Sequence, residues 1–198
     1  MLTRWRSQYE KSTISFGKAS LKLGLMPDFW TLFSLTSAAL ACVALSQAAY
    51  WPGLLALVVM NVTDMLDGAT ARAGNLATKF GTVLDHCFDR YGEFFLYTGL
   101  LLGGAISPLL AMFTVSGVIM ASYVRAKAES AGGMKSCNMG LAGRQEKLIL
   151  TILGLILFGL GLSLPGQVCV FLAGLISHIT FVQRLLYARN EILKPIVK

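Results

Sequence analysis

The sequence predicts an all-α polytopic membrane protein with six transmembrane helices and an N-terminal amphipathic surface helix. Three observations carry that prediction. Hydrophobic residues make up 55% of the chain and charged residues 14%, with a mean hydropathy of +0.65, whereas soluble domains carry roughly 25% charged residues. Three long stretches, Phe29 to Thr63, Phe94 to Val124 and Leu148 to Gln183, contain no Asp, Glu, Lys or Arg. The basic residues cluster between and beyond these stretches.

Taken in order, residues 1–25 place Trp5, Tyr9 and Phe16 among Arg4, Arg6, Lys11 and Lys18. Aromatic and basic residues mixed in this way predict a helix lying on the membrane surface. No apolar core follows the first charges, so a cleavable signal peptide is not expected. Each charge-free stretch exceeds the roughly 20 residues of one crossing. Each also carries a Gly/Pro turn signal near its middle: Gln47 to Gly53, Gly103 to Pro108, and Ser163 to Gly166. Such clusters punctuate helices, so each stretch divides into two spans. The expected helices are 29–48, 51–73, 79–102, 107–130, 145–163 and 166–190. Helices satisfy their own backbone hydrogen bonds in lipid, and no alternating barrel pattern competes with them. The 198 residues are expected to form one membrane domain, with 29–190 holding the spans and no repeats.

Orientation follows from the cations. Arg4, Arg6, Lys11, Lys18 and Lys22 precede the first span; Arg72 and Lys79 separate the second and third. Arg125, Lys127, Lys135, Arg144 and Lys147 separate the fourth and fifth, and Arg184, Arg189, Lys194 and Lys198 close the chain. The other three loops are uncharged. The positive-inside rule therefore puts both termini and both basic loops in the cytoplasm, in a multi-pass plasma-membrane protein. The net charge of +7 thus reports topology, and a nucleic-acid partner is excluded by the absence of any binding motif. The four cysteines, Cys42, Cys87, Cys137 and Cys169, form no CxxC pair and read as ordinary buried thiols.

The chemistry lies in the acids. Of five aspartates, four (Asp64, Asp67, Asp85 and Asp89) fall at the cytoplasmic ends of the second and third spans. A charged side chain deep in a membrane costs about 2.5–3.5 kcal/mol on insertion scales, and four together repel one another. Bound divalent cations offset both costs, since hard cations prefer oxygen ligands. Helical spacing puts Asp64, Asp67, Gly68 and Ala71 on one face, and Gly81, Asp85 and Asp89 on another. The small residues among them permit close approach of a second helix or a nucleotide. His86 and His178 read as packing residues.

In full, Asp64-x2-Asp67-Gly68-x2-Ala71-Arg72-x8-Gly81-x3-Asp85-x3-Asp89 resembles the signature of the CDP-alcohol phosphatidyltransferase family without a departure. The six-span layout also fits that family, so the resemblance covers the chain. It implies transfer of a phosphatidyl or archaetidyl group from a CDP-linked lipid to an alcohol, with release of CMP. It further implies two divalent cations, Mg²⁺ or Mn²⁺, on Asp64, Asp67, Asp85 and Asp89, with Asp89 also the general base. Gly68, Ala71, Arg72 and Gly81 match positions around the cytidine and phosphates. A homodimer is the implied assembly. Metals that neutralise the pyrophosphate, and a carboxylate that takes the hydroxyl proton, suit this chemistry.

Two further segments, Ser122 to Glu129 and Gly143 to Lys147, resemble the phosphatidylinositol-phosphate synthase branch and its archaeal relatives. There, positions matching Ser122, Arg125, Arg144 and Arg184 line a pocket for inositol phosphate. Arg125 stands where a lysine is usual in bacterial members, and Gln145 and Lys147 depart from the bacterial wording. Arginines suit a phosphomonoester because they bind it bidentately. Glycerol phosphate or serine are the alternative acceptors. Two rival classes are an aromatic prenyltransferase, which needs a second Asp-rich motif downstream, and a cation transporter that uses the acids as an ion site. No Asp follows Asp89, which argues against the first. Acids at one side of the bilayer rather than its middle argue against the second.

Overall fold

The structure, a computed structural model, describes residues 3–141 and 143–194; the side chains of residues 3–12 and of Arg144 lie outside the described set. Trp5, Tyr9 and the Arg144 guanidinium therefore fall outside it. Among the described residues there are seven helices and no strand: α1 (Thr3–Lys22), α2 (Pro27–Ser46), α3 (Tyr50–Gly74), α4 (Lys79–Leu102), α5 (Pro108–Ser130), α6 (Arg144–Gly159) and α7 (Ser163–Ile192). Four of them, α2, α3, α5 and α7, are long and apolar enough to cross a membrane. Helix α6 has only 16 residues. The 24 residues of α4 include Lys79, Asp85, Asp89, Arg90 and Glu93. The all-helical expectation holds, and the expected helix bounds differ from α2 to α7 by about a turn at most.

Local chemistry sets the helix ends. Asn75 (φ +53°) and Gly161 (φ +77°) occupy left-handed conformations just past α3 and α6. Leu76 N–H then reaches back to the Ala71 carbonyl at 2.8 Å, and Leu162 N–H to that of Leu157 at 2.9 Å. These are Schellman closures, which ask for Gly or Asn at the left-handed position. The turn between α6 and α7 therefore falls at 160–162, not at 163–166. Pro165 sits in the first turn of α7, where a missing N–H costs nothing. Pro108 likewise opens α5, with Ser107 Oγ accepting from Leu110 N–H at 3.2 Å.

Two compact units emerge, Met1–Leu45 with Pro52–Gly99, and Ser46–Trp51 with Leu100–Lys198. In the first, the buried stripe of α2 is small and polar, with Thr31, Ser34, Ala38 and Ala41, while Leu32, Leu40 and Val43 are exposed. Gly99 of α4 lies so near α2 that an added Cβ would stand 2.7 Å from the Cys42 carbonyl oxygen. Thr13, Gly17 and Ser20 of α1 are buried, and Gly17 faces the backbone at Ala69 and Thr70 of α3. Phe16 is exposed.

In the second unit, α7 packs against both α5 and α6. Its buried stripe runs Gly166, Val170, Ala173, Ser177, Thr180, Arg184 and Ala188. On α5 the buried residues include Ala111, Thr114, Gly117, Val118 and Ala121, with Leu109 and Met112 exposed. Small residues inside and large apolar ones outside is the pattern expected where lipid, not water, surrounds the helices. His178 lies 2.9 Å from the Phe113 carbonyl oxygen and its ring packs on that of Phe113, a packing role.

Candidate metal and acceptor sites

The first site is built by the C-terminal half of α3 and the start of α4. Asp64 and Asp67 project from one face of α3 and Asp85 from α4, and one carboxylate oxygen from each lies within 4.8 Å of the others. Asp67 is buried and Asp64 and Asp85 are half-buried. Three hard oxygen donors at this spacing fit a divalent cation, and the like charges they bring together favour one. Asp89 lies a turn beyond Asp85 on α4 and is outside this trio. Its Oδ2 is 3.7 Å from Arg90 Nη2, and Arg90 Nη1 is 2.5 Å from Glu93 Oε2.

Thr31 joins the site from α2, donating its hydroxyl to Asp67 Oδ2 at 2.9 Å within the buried interior. Sequence reasoning missed it: Thr31 is one hydroxyl among several in a charge-free stretch, far from the Asp motif. Gly68 is overlain by Arg72, whose Nη1 would lie 3.1 Å from a Cβ at Gly68. Ala71 is half-buried and Arg72 exposed one residue later. Gly81 N–H donates to Thr78 Oγ1 at 2.9 Å, which caps α4 and opens the turn carrying Asp85.

The positions expected to line an acceptor pocket lie on α5, α6 and α7. Ser122 and Arg125 are half-buried, one turn apart near the end of α5. Arg125 Nε donates to Glu129 Oε1 at 3.1 Å. That same oxygen accepts the Cys137 N–H at 2.9 Å. Arg184 is 8% exposed, with Nε donating to the Met139 carbonyl at 2.8 Å and Nη1 to that of Ala121 at 2.6 Å. Gln183 Oε1 accepts the Leu141 N–H at 2.6 Å. The segment between α5 and α6 is thus fastened by side chains of α5 and α7. Arg144 begins α6, where Gly143 N–H donates to Glu146 Oε2 at 2.9 Å. Burial pushes the Cys137 thiol pKa up, as its completely covered position requires.

The fold and its acidic cluster define a helical membrane protein with a candidate site for a divalent cation. Residues 24–183 match the family model of CDP-alcohol phosphatidyltransferase, and the chain belongs to that family. It is therefore a transferase of substituted phosphate groups in phospholipid synthesis, from a family that works with divalent metals. The chain is 33% identical to the phosphatidylinositol phosphate synthase of Mycobacteroides abscessus, over 94% of this chain and 87% of that one. It is 32% identical to the archaetidylinositol phosphate synthase of Pyrococcus horikoshii, over 97% and 98%. The solved phosphatidylinositol phosphate synthase of Mycobacterium tuberculosis, in complex with manganese and citrate, superposes with a TM-score of 0.82 at 27% identity, covering 93% of each chain. The same enzyme with CDP-DAG bound gives 0.81, over 94% of this chain and 98% of that one. Nothing in these likenesses supports the ion-transport alternative.

Proposed function

We propose that this chain transfers a phosphatidyl or archaetidyl group from a CDP-linked lipid to inositol phosphate, with release of CMP. The observation that carries the reading is the convergence of Asp64, Asp67 and Asp85 in a chain of this family, two relatives of which, matched over most of their length, are named as phosphatidylinositol phosphate and archaetidylinositol phosphate synthases. Asp64, Asp67, Asp85 and Asp89 are assigned to hold two divalent cations, Mg²⁺ or Mn²⁺. When bound, such a pair neutralises a pyrophosphate and stabilises charge on the entering and leaving oxygens. Thr31 keeps the Asp67 carboxylate oriented by its hydrogen bond.

The other residues divide the remaining work. Gly68, Ala71 and Gly81 leave room for the cytidine and phosphates, and Arg72 offers its guanidinium to a phosphate oxygen. Asp89 takes the acceptor hydroxyl proton as the new oxygen–phosphorus bond forms and the bond to the CMP oxygen breaks. Ser122, Arg125, Arg144 and Arg184 are assigned to the acceptor phosphate. The same reading makes residues 1–198 one membrane domain with six spans, α2 to α7, and α1 at the membrane interface. The exposed Phe16 and the distribution of Lys and Arg support it, with both termini and the active site cytoplasmic in the plasma membrane. A homodimer is the assembly the family resemblance implies.

The test is CMP release by purified protein given Mg²⁺ and either CDP-diacylglycerol or a CDP-linked ether lipid. Inositol phosphate, glycerol phosphate and serine are offered in turn. Release that requires inositol phosphate is expected, and the better donor names the lipid. Release driven by glycerol phosphate or serine instead would reassign the acceptor.

A further inference from the structure

Glu129 carries a role that the acidic motif and the acceptor cations leave unassigned. A carboxylate beside a site for an anionic acceptor is electrostatically costly, so its presence next to Arg125 needs a reason. Geometry gives one. Glu129 engages Arg125 through Nε alone, at 3.1 Å. The η nitrogens of Arg125 make no other hydrogen bond among the described residues, and its side chain is 40% exposed. A guanidinium offers a phosphate two bidentate edges, one along Nε and an Nη, the other across the two Nη groups. With Nε held by Glu129, the outer Nη edge is the one presented.

The same Glu129 oxygen accepts the Cys137 N–H at 2.9 Å, and Cys137 is fully covered, packed with Ala128 and Ala188. A single carboxylate oxygen therefore ties the orientation of Arg125 to the seating of the segment that leads into α6. Arg184 fastens that segment at Met139. We infer that Glu129 is a positioning residue for acceptor recognition, holding Arg125 through Nε so that its Nη edge faces the acceptor phosphate. This rests on the assignment of Arg125 to the acceptor given above.

Steady-state kinetics on the full chain test it, with Glu129→Gln, Arg125→Ala and the double variant. Gln keeps an oxygen for the Cys137 N–H but removes the carboxylate charge that faces Arg125. The KM for inositol phosphate should rise about tenfold, the scale on which a hydrogen bond between two charged groups exceeds one to a neutral acceptor. The KM for the CDP-lipid and kcat should move less than about twofold. In the Arg125→Ala background, Glu129→Gln should add nothing, because the group it positions is gone. Glu129→Asp, which keeps the charge on a shorter stem, should fall between wild type and Glu129→Gln. An equal rise in both backgrounds would overturn the inference in favour of a purely structural loop contact. An unchanged KM in Glu129→Gln alongside a raised one in Arg125→Ala would also overturn it, while leaving the acceptor assignment standing. An unchanged KM in Arg125→Ala would remove that assignment, and the role of Glu129 with it.

Discussion

The acids of α3 and α4 and the cations of α5 and α7 are handled in opposite ways. Asp64, Asp67 and Asp85 bring like charges together, with oxygens within 4.8 Å. Arg125 and Arg184 are instead matched inside the protein, one by the Glu129 carboxylate and the other by two backbone carbonyls. Converging carboxylates gain from a cation supplied from outside. A guanidinium already oriented by its own chain gains little from an added ion but gives a fixed edge for an anion. Under the proposed function, the metal requirement is assigned to the first region and discrimination among acceptors to the second.

The largest effect should follow from removing a cation-facing charge. Asp85→Asn or Asp67→Asn is expected to lower kcat/KM for CMP release by about 10³-fold, since metals contribute several kcal/mol of charge stabilisation. Activity within tenfold of wild type would erase the distinction between the two regions. A smaller effect is expected from Thr31→Val, which leaves every acid in place but frees Asp67 Oδ2 of its donor. Such outer contacts are worth about 10–100-fold in metal affinity. The readout is a higher Mg²⁺ concentration at half-maximal rate, with the rate recovered at saturating metal.

Packing changes in the other unit should leave metal affinity alone. A Cβ on Gly117 would stand 2.7 Å from His178 Cδ2 and 3.0 Å from the Gly174 carbonyl oxygen. Gly117→Ala is thus expected to cost about 1–3 kcal/mol of stability as an overpacked contact, read as a lower unfolding temperature in detergent with an unchanged Mg²⁺ dependence. Smallest of all is the behaviour of Cys137. Its buried thiol has a raised pKa, so at pH 8 it holds less thiolate than a free cysteine, and alkylation should be slow until the protein is denatured. Rapid labelling of the folded protein would mean that the segment between α5 and α6 is not seated on α7.

Much of the fold was legible in the sequence because lipid imposes simple demands. Charge-free stretches and Gly/Pro punctuation located α2 to α7, and only the last turn shifted, because Gly161 closes α6 ahead of Pro165. The acids were legible because four aspartates in an apolar chain stand out and helical spacing groups them. Thr31 was not, since its contact with Asp67 joins two helices and leaves no local pattern. Nor was the anchoring of residues 131–141: irregular backbone has no periodicity, and its fastening to Glu129, Gln183 and Arg184 depends on tertiary placement. The pairing of Arg125 with Glu129 could be read from their spacing of four residues, but the sharing of that carboxylate with Cys137 could not.

One measurement addresses the central claim most directly: CMP release from a CDP-lipid by purified protein stripped with a chelator and then titrated with Mg²⁺ or Mn²⁺, beside Asp67→Asn. The account predicts no release without metal, restoration by either ion with inositol phosphate present, and no restoration in the variant. Full release by metal-free protein, or restoration in Asp67→Asn equal to wild type, would contradict it.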